Sequence, residues 1–265
     1  MKLYIEIIKN VFKSGLTYRF NYFTGLIGKI LYIYAQYFIW KALLMDKIVD
    51  TSFGTIDFPN MVTYIIISSI ISTITSNNVI MDVNNSIDNG KIALDFIKPI
   101  NFQLYMFCNT IGKNLYEVLF NLIPVTIVSI IVFDIQFPEI IYFILFLIAI
   151  IGGFLINYFL SFCLGLLGFW FTQVWILGRV LNDLIKLFAG VYIPLWFFPV
   201  ILESILDYLP FKFIYFVPIS IFLGKYNLLE CLLMFLMQLI WIIILYFLSK
   251  IIWKKAIYKL VVQGG

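Results

Sequence analysis

No histidine occurs among the 265 residues. That absence removes Ser/His and Cys/His nucleophile pairs, imidazole-held metal or haem and the usual proton shuttle near neutral pH, and so counts against an enzyme. Cysteine is scarce as well. Cys108, Cys163 and Cys231 stand far apart in apolar sequence, which predicts neither a disulfide framework nor a metal site. No G-x-x-x-x-G-K-[ST] phosphate loop is present: "GLIGKI", "NGKIA" and "TIGKN" lack both the following Ser/Thr and the upstream Gly at that spacing. A D-D-x-x-D cluster for prenyl transfer is missing too. Charged residues make up only 12% of the chain, and no nucleic-acid partner is expected.

What fills the chain is apolar. Hydrophobic residues account for 63% and aromatics for 19%, with a mean hydropathy of +1.03. No water-soluble fold of this size needs so much apolar surface, and the long runs predict an all-α membrane protein. Polar breaks divide it into six spans, at about 20–43, 60–82, 111–133, 139–170, 173–195 and 228–252. The cut between the fourth and fifth falls near "FTQVWILGR", at Gln173 and Arg179. Residues 1–19 carry no small-residue cleavage site. Leu3, Ile7 and Val11 recur there at i, i+4, i+8 among Lys2, Glu6, Lys9 and Lys13, as in a helix lying in the membrane interface.

Twelve of the eighteen Lys and Arg fall on one side if the N-terminus is inside, so both termini are expected in the cytoplasm, with residues 253–265 as a cytoplasmic tail. The abundance of Ile, Lys, Asn, Phe and Tyr fits an AT-rich bacterial genome, and a bacterial cytoplasmic membrane is the expected location. Residues 83–110 then form the largest cytoplasmic loop. Within it, "NNSIDNGKIALDFIKPINFQL" has a turn at Asn89-Gly90 and a helix stop at Pro99. The short helix between them carries Ile92 and Phe96 at i, i+4, is marginal alone in water and needs a surface to pack on.

Four of the eight prolines, Pro194, Pro199, Pro210 and Pro218, crowd residues 194–226. Such density breaks helix continuity, and short helices dipping into the outer leaflet are expected in place of a seventh span. Inside the spans, Ser68, Ser72 and Ser76 repeat at i, i+4, i+8, a stripe that lets helices approach or lines a wet path. Arg179, Asn182, Asp183 and Lys186 share one face of the fifth span; charges there belong against protein or a cavity, with Asp183 pairing Arg179 or Lys186. Lys29 and Glu117 are explained by snorkelling or by a mutual structural pair.

The six-span pattern, "GKIALDFIKPINFQLY", "AGVYIPLWFFPVILESILDYLPF" and the tail "WKKAIYKLVVQGG" together resemble the ABC-2 type permeases, the membrane subunits of ATP-binding-cassette exporters, in the subgroup often encoded as paired permeases. The resemblance implies a coupling helix docked on a cytoplasmic ABC ATPase, present in two copies, with Gly90, Lys91, Ile92, Leu94, Asp95, Phe96, Lys98 and Pro99 forming it. It implies a second permease, identical or paralogous, meeting this one through Ser68, Ser72, Ser76, Arg179, Asn182, Asp183 and Lys186. It also implies outer re-entrant helices over 194–226, and no cofactor in this chain, since ATP and Mg belong to the partner ATPase. A drug, antimicrobial peptide or lipidic cargo is the implied substrate. A secondary transporter and a substrate-capture subunit of an importer are the alternatives, the first expected to show inverted repeats that this sequence lacks.

Overall fold

A computed structural model describes residues 2–264 apart from 17–18, 45–47, 52–53, 93–99, 134 and 172–173. Helix α1, Lys2–Gly15, buries none of its residues fully yet packs along α5, Phe102–Glu117. The contact depends on Gly112, where an added Cβ would stand 2.8 Å from the Ile8 carbonyl and the Val11 side chain. Helix α2, Arg19–Leu44, is followed by an antiparallel hairpin, β1 Val49–Thr51 and β2 Gly54–Ile56, that the hydropathy pattern gave no sign of.

The second expected span is two helices. Asp57 caps α3, Phe58–Thr75, accepting the Asn60 amide at 2.9 Å, and Met61 to Ser69 are all buried. Residues 76–78 are not helical, and α4, Val79–Asp88, resumes beyond them. A break at membrane depth frees carbonyls, and neighbouring helices satisfy them: Asn114 donates to Ile74 O at 2.7 Å and Asn157 to Thr75 O at 2.8 Å.

The third span begins nine residues before position 111. Asp82 meets Lys113 at 2.6 Å, so the charge inside α5 is answered and the helix runs on from its Asn101 cap. A π-helical turn, Val118–Leu122, joins α5 to α6, Ile123–Val132. Helix α7, Ile140–Leu166, with its closing turn Leu167–Phe169, fills the fourth expected span. Helix α8, Val174–Phe188, starts at the expected cut but stops seven residues before position 195. Gly190, at φ +86, ends it in a Schellman closure, with Val191 N donating to Lys186 O at 2.9 Å. At about 22 Å, α8 is shorter than the ~30 Å hydrocarbon layer.

Short elements follow: a turn at Leu195–Phe197, α9 Val200–Leu206, a turn at Pro210–Phe213 and α10 Phe216–Phe222. Helix α9 is outward, with Ile201 79% exposed, whereas every residue of α10 is buried. Helix α11 is Leu228–Gly264.

Among the described residues four helical stretches are long and apolar enough to cross a membrane: Phe58–Asp88, Phe102–Val132, Ile140–Phe169 and Leu228–Lys259. The protein is therefore an all-α, multi-pass membrane protein. The expected first and fifth spans are not among the four, because α8 is short and α2 carries Lys29, Gln36 and Lys41. The larger core gathers Tyr64, Ile66, Ile156, Phe213 and Phe216 around α3, α7 and α10. A second core of Val79, Val83, Ile92, Phe102 and Phe162 holds α4 to α7 and the start of α5.

Candidate functional site

Two polar hollows lie along one side of α3. The first, ≈330 Å³, sits between α2, α3 and α8 and is lined by Lys29, Tyr32, Ser68, Ser72, Lys186 and Tyr192. The second, ≈320 Å³, opens at the helix break and is lined by Ser76, Asn77, Asn78, Asn109, Asn114 and Glu117. They meet at an ion pair, Lys29 Nζ to Glu117 Oε2, 3.6 Å. The serine stripe runs past both, so one polar track follows α3 through an otherwise apolar bundle.

The π-helical turn shapes the middle of that track. One extra residue in the turn is a feature frequent at functional sites, and here it places Asn121 beside Glu117, to which its Nδ2 donates at 2.5 Å. Helix α2 passes close to the same amide at Gly25, where an added Cβ would stand 3.7 Å from Asn121 Oδ1. Two buried polar atoms near the track, Asn121 Oδ1 and the Tyr32 hydroxyl, have no hydrogen-bond partner among the described residues. Buried polar groups are nearly always paired, so this pair of orphans marks positions suited to a polar group from outside the chain.

The expected residues divide between several places. Ser68 and Ser72 line the first hollow and Ser76 the second. Ser68 turns its hydroxyl back onto Ile65 O at 2.8 Å and the exposed Ser76 onto Thr73 O at 3.1 Å, while the half-buried Ser72 pairs with the Tyr215 hydroxyl. Lys186 reaches the first hollow from α8. Asp183 accepts a hydrogen bond from the Tyr192 hydroxyl at 3.3 Å. Arg179 and Asp183 lie exposed and Asn182 half-buried, on a side of α8 that also exposes Ile176, Val180 and Leu184.

Of the coupling segment, Gly90 closes α4 at φ +66 and Lys91 is exposed. Ile92, expected as an outward anchor, is only 1% exposed and belongs to the second core, so it roots the segment inside this chain. Leu94, Asp95, Phe96, Lys98 and Pro99 lie outside the described residues. Helix α4 itself rests on glycines: a Cβ at Gly178 would stand 2.7 Å from Ile80, and one at Gly165 3.1 Å from Val83.

Asn121, Tyr32, Asn109 and Asn114 have no signal in the sequence, because their roles arise from contacts between helices. The repeated Asn77-Asn78 next to the stripe was the one local signal. A family model described as ABC-2 family transporter protein matches residues 30–264, nearly the whole bundle. No curated protein matches the chain.

Proposed function

The chain belongs to the ABC-2 transporter family and is a membrane permease subunit of an ABC transporter, working with an ATPase partner; from that premise we propose that it exports an amphipathic cargo along the polar track beside α3. The observation that carries the reading is the track itself. Two hollows, the Lys29–Glu117 pair and two orphaned polar atoms lie inside helices whose other faces are apolar. Polar and ionisable groups are costly in hydrocarbon, and a substrate path is their ordinary reason to be there.

The export direction, a bacterial cytoplasmic membrane and cytoplasmic termini belong to the same proposal, as does a cargo of the drug, peptide or lipidic kind. A second permease covers the exposed side of α8. A carboxylate facing lipid costs several kcal/mol, and Asp183 stands there among exposed Ile176, Val180 and Leu184. The ATPase, in two copies, grips the segment after Gly90. Because α4 is separated from α3 by a non-helical break and is seated on glycines of α7 and α8, a push on that segment turns α4 against α8 and reshapes the first hollow. The outer elements from Pro194 to Tyr226 act as the lid.

Phe96→Asp tests the coupling. In lipid vesicles the variant is expected to insert normally but to lose captured ATPase and cargo-stimulated ATP hydrolysis by about tenfold or more, the loss of one apolar anchor from an interface centre. Undiminished capture and turnover would remove the segment from that role.

A further inference from the structure

A third hollow, away from the track, lies where α5, α7 and α11 meet. It measures ≈320 Å³, and its walls include Leu104, Phe107, Leu155, Phe159 and Tyr246, with Lys250 at one end. The start of α5 and Lys250 both stand at the end of the bundle next to the coupling segment. In the orientation proposed above, on which this inference rests, that end is the inner leaflet. The surrounding helix faces are bare and apolar, with Leu104, Phe247 and Ile251 between 42% and 60% exposed, so the hollow opens toward hydrocarbon.

Two polar features set it apart from a gap between helices. Gln103 is 6% exposed; its Nε2 donates to Ser249 Oγ at 2.8 Å, while its buried Oε1 accepts no hydrogen bond among the described residues. Lys250 is half-buried, its Nζ 5.4 Å from the centre of the Tyr246 ring, and among the described residues it makes no ion pair. A cation and an unanswered acceptor at one end of an apolar slot match one kind of molecule.

We propose that this hollow binds a single phospholipid of the inner leaflet whose headgroup is anionic and carries hydroxyls, of the phosphatidylglycerol class. Its phosphate lies on Lys250, a headgroup hydroxyl donates to Gln103 Oε1 as that side chain turns toward the hollow it lines, and one acyl chain lies along the aromatic wall. A choline headgroup offers neither the net charge nor the donor.

Native mass spectrometry of the purified permease, with phosphatidylglycerol or phosphatidylcholine of identical chains added, reads the site directly and needs no transport. Retention of phosphatidylglycerol is expected to exceed that of phosphatidylcholine about fivefold, the worth of one lysine near an anionic surface. Lys250→Gln should erase the preference and Lys250→Arg keep it. Leu155→Trp, which fills the slot, should reduce retention of both lipids. Excess inorganic phosphate should leave the bound lipid in place. Equal retention of the two lipids, a preference that survives Lys250→Gln, or displacement by phosphate alone would each overturn the assignment. Should Lys250→Gln fail to fold, the Lys250→Arg and Leu155→Trp results decide it. Because lipid retention is measured without cargo or ATPase, failure here leaves the export reading standing, and loss of export leaves this one standing.

Discussion

Exchanging the two charges of the central pair, Lys29→Glu with Glu117→Lys, is expected to restore export that either single substitution abolishes. Removing one partner leaves the other as an unanswered charge inside the bundle. A fully buried pair broken in this way costs about 3–5 kcal/mol. Here the side chains are 29% and 37% exposed, which lowers the stability cost to about 1–2 kcal/mol. The effect on transport should be larger than on insertion, because the pair stands where the two hollows meet. Glu117→Leu and Lys29→Leu should each lower cargo export from vesicles by at least about tenfold, equivalent to 1.4 kcal/mol. In the exchanged chain Asn121 turns its amide and accepts from the new lysine, since an amide side chain both donates and accepts. If the exchanged chain inserts normally and stays as defective as the singles, the pair does not guard the track.

The largest stability losses are expected at Gly152 and Gly153. An added Cβ at Gly153 would stand 2.9 Å from Ile214 O and 3.1 Å from Ile214 Cα, so backbone meets backbone and nothing nearby can swing away. At Gly152 the obstacle is Gln238, whose side chain an added Cβ would overlap. Gln238 is 3% exposed and has no free space: its Nε2 donates to Ala149 O at 2.9 Å and to Phe213 O at 3.1 Å. One acceptor lies within α7 and the other in the turn Pro210–Phe213, so the two bonds hold the outer segment on α7. Gly153→Leu and Gly152→Leu should each destabilise by about 1–3 kcal/mol, Gly153 the more. Gly28→Ala in α2, where a Cβ meets nothing within 4 Å, is the comparison and should leave the unfolding midpoint in detergent unchanged. Equal midpoints for all three variants would show that the outer segment is not held there.

Much of this architecture was legible along the chain. The fourth span, the cut before Val174 and the two-turn helix after Pro199 follow from hydropathy and proline placement, which act locally. A pair between Lys29 and Glu117 was one of two expectations, beside snorkelling, and the two side chains stand 3.6 Å apart; their position at the junction of two hollows has no sign in the sequence. The break at 76–78 was hidden because polar residues inside a span read equally as packing, and its stability comes from Asn114 and Asn157, 40 and 82 positions from the carbonyls they bond. The π-helical turn has no pattern of its own in the sequence. Ile92 misled because a short apolar repeat does not say whether its partner is another protein or the second core.

The Lys29–Glu117 pair also has an electrical consequence. A unit charge moved across a membrane gains or loses about 2.3 kcal/mol per 100 mV. Two opposite charges held 3.6 Å apart at one depth move together as a neutral unit, so rocking the helices that carry them does no work against the membrane potential. A cargo that parts the two charges turns the same motion into one that the potential can drive or oppose.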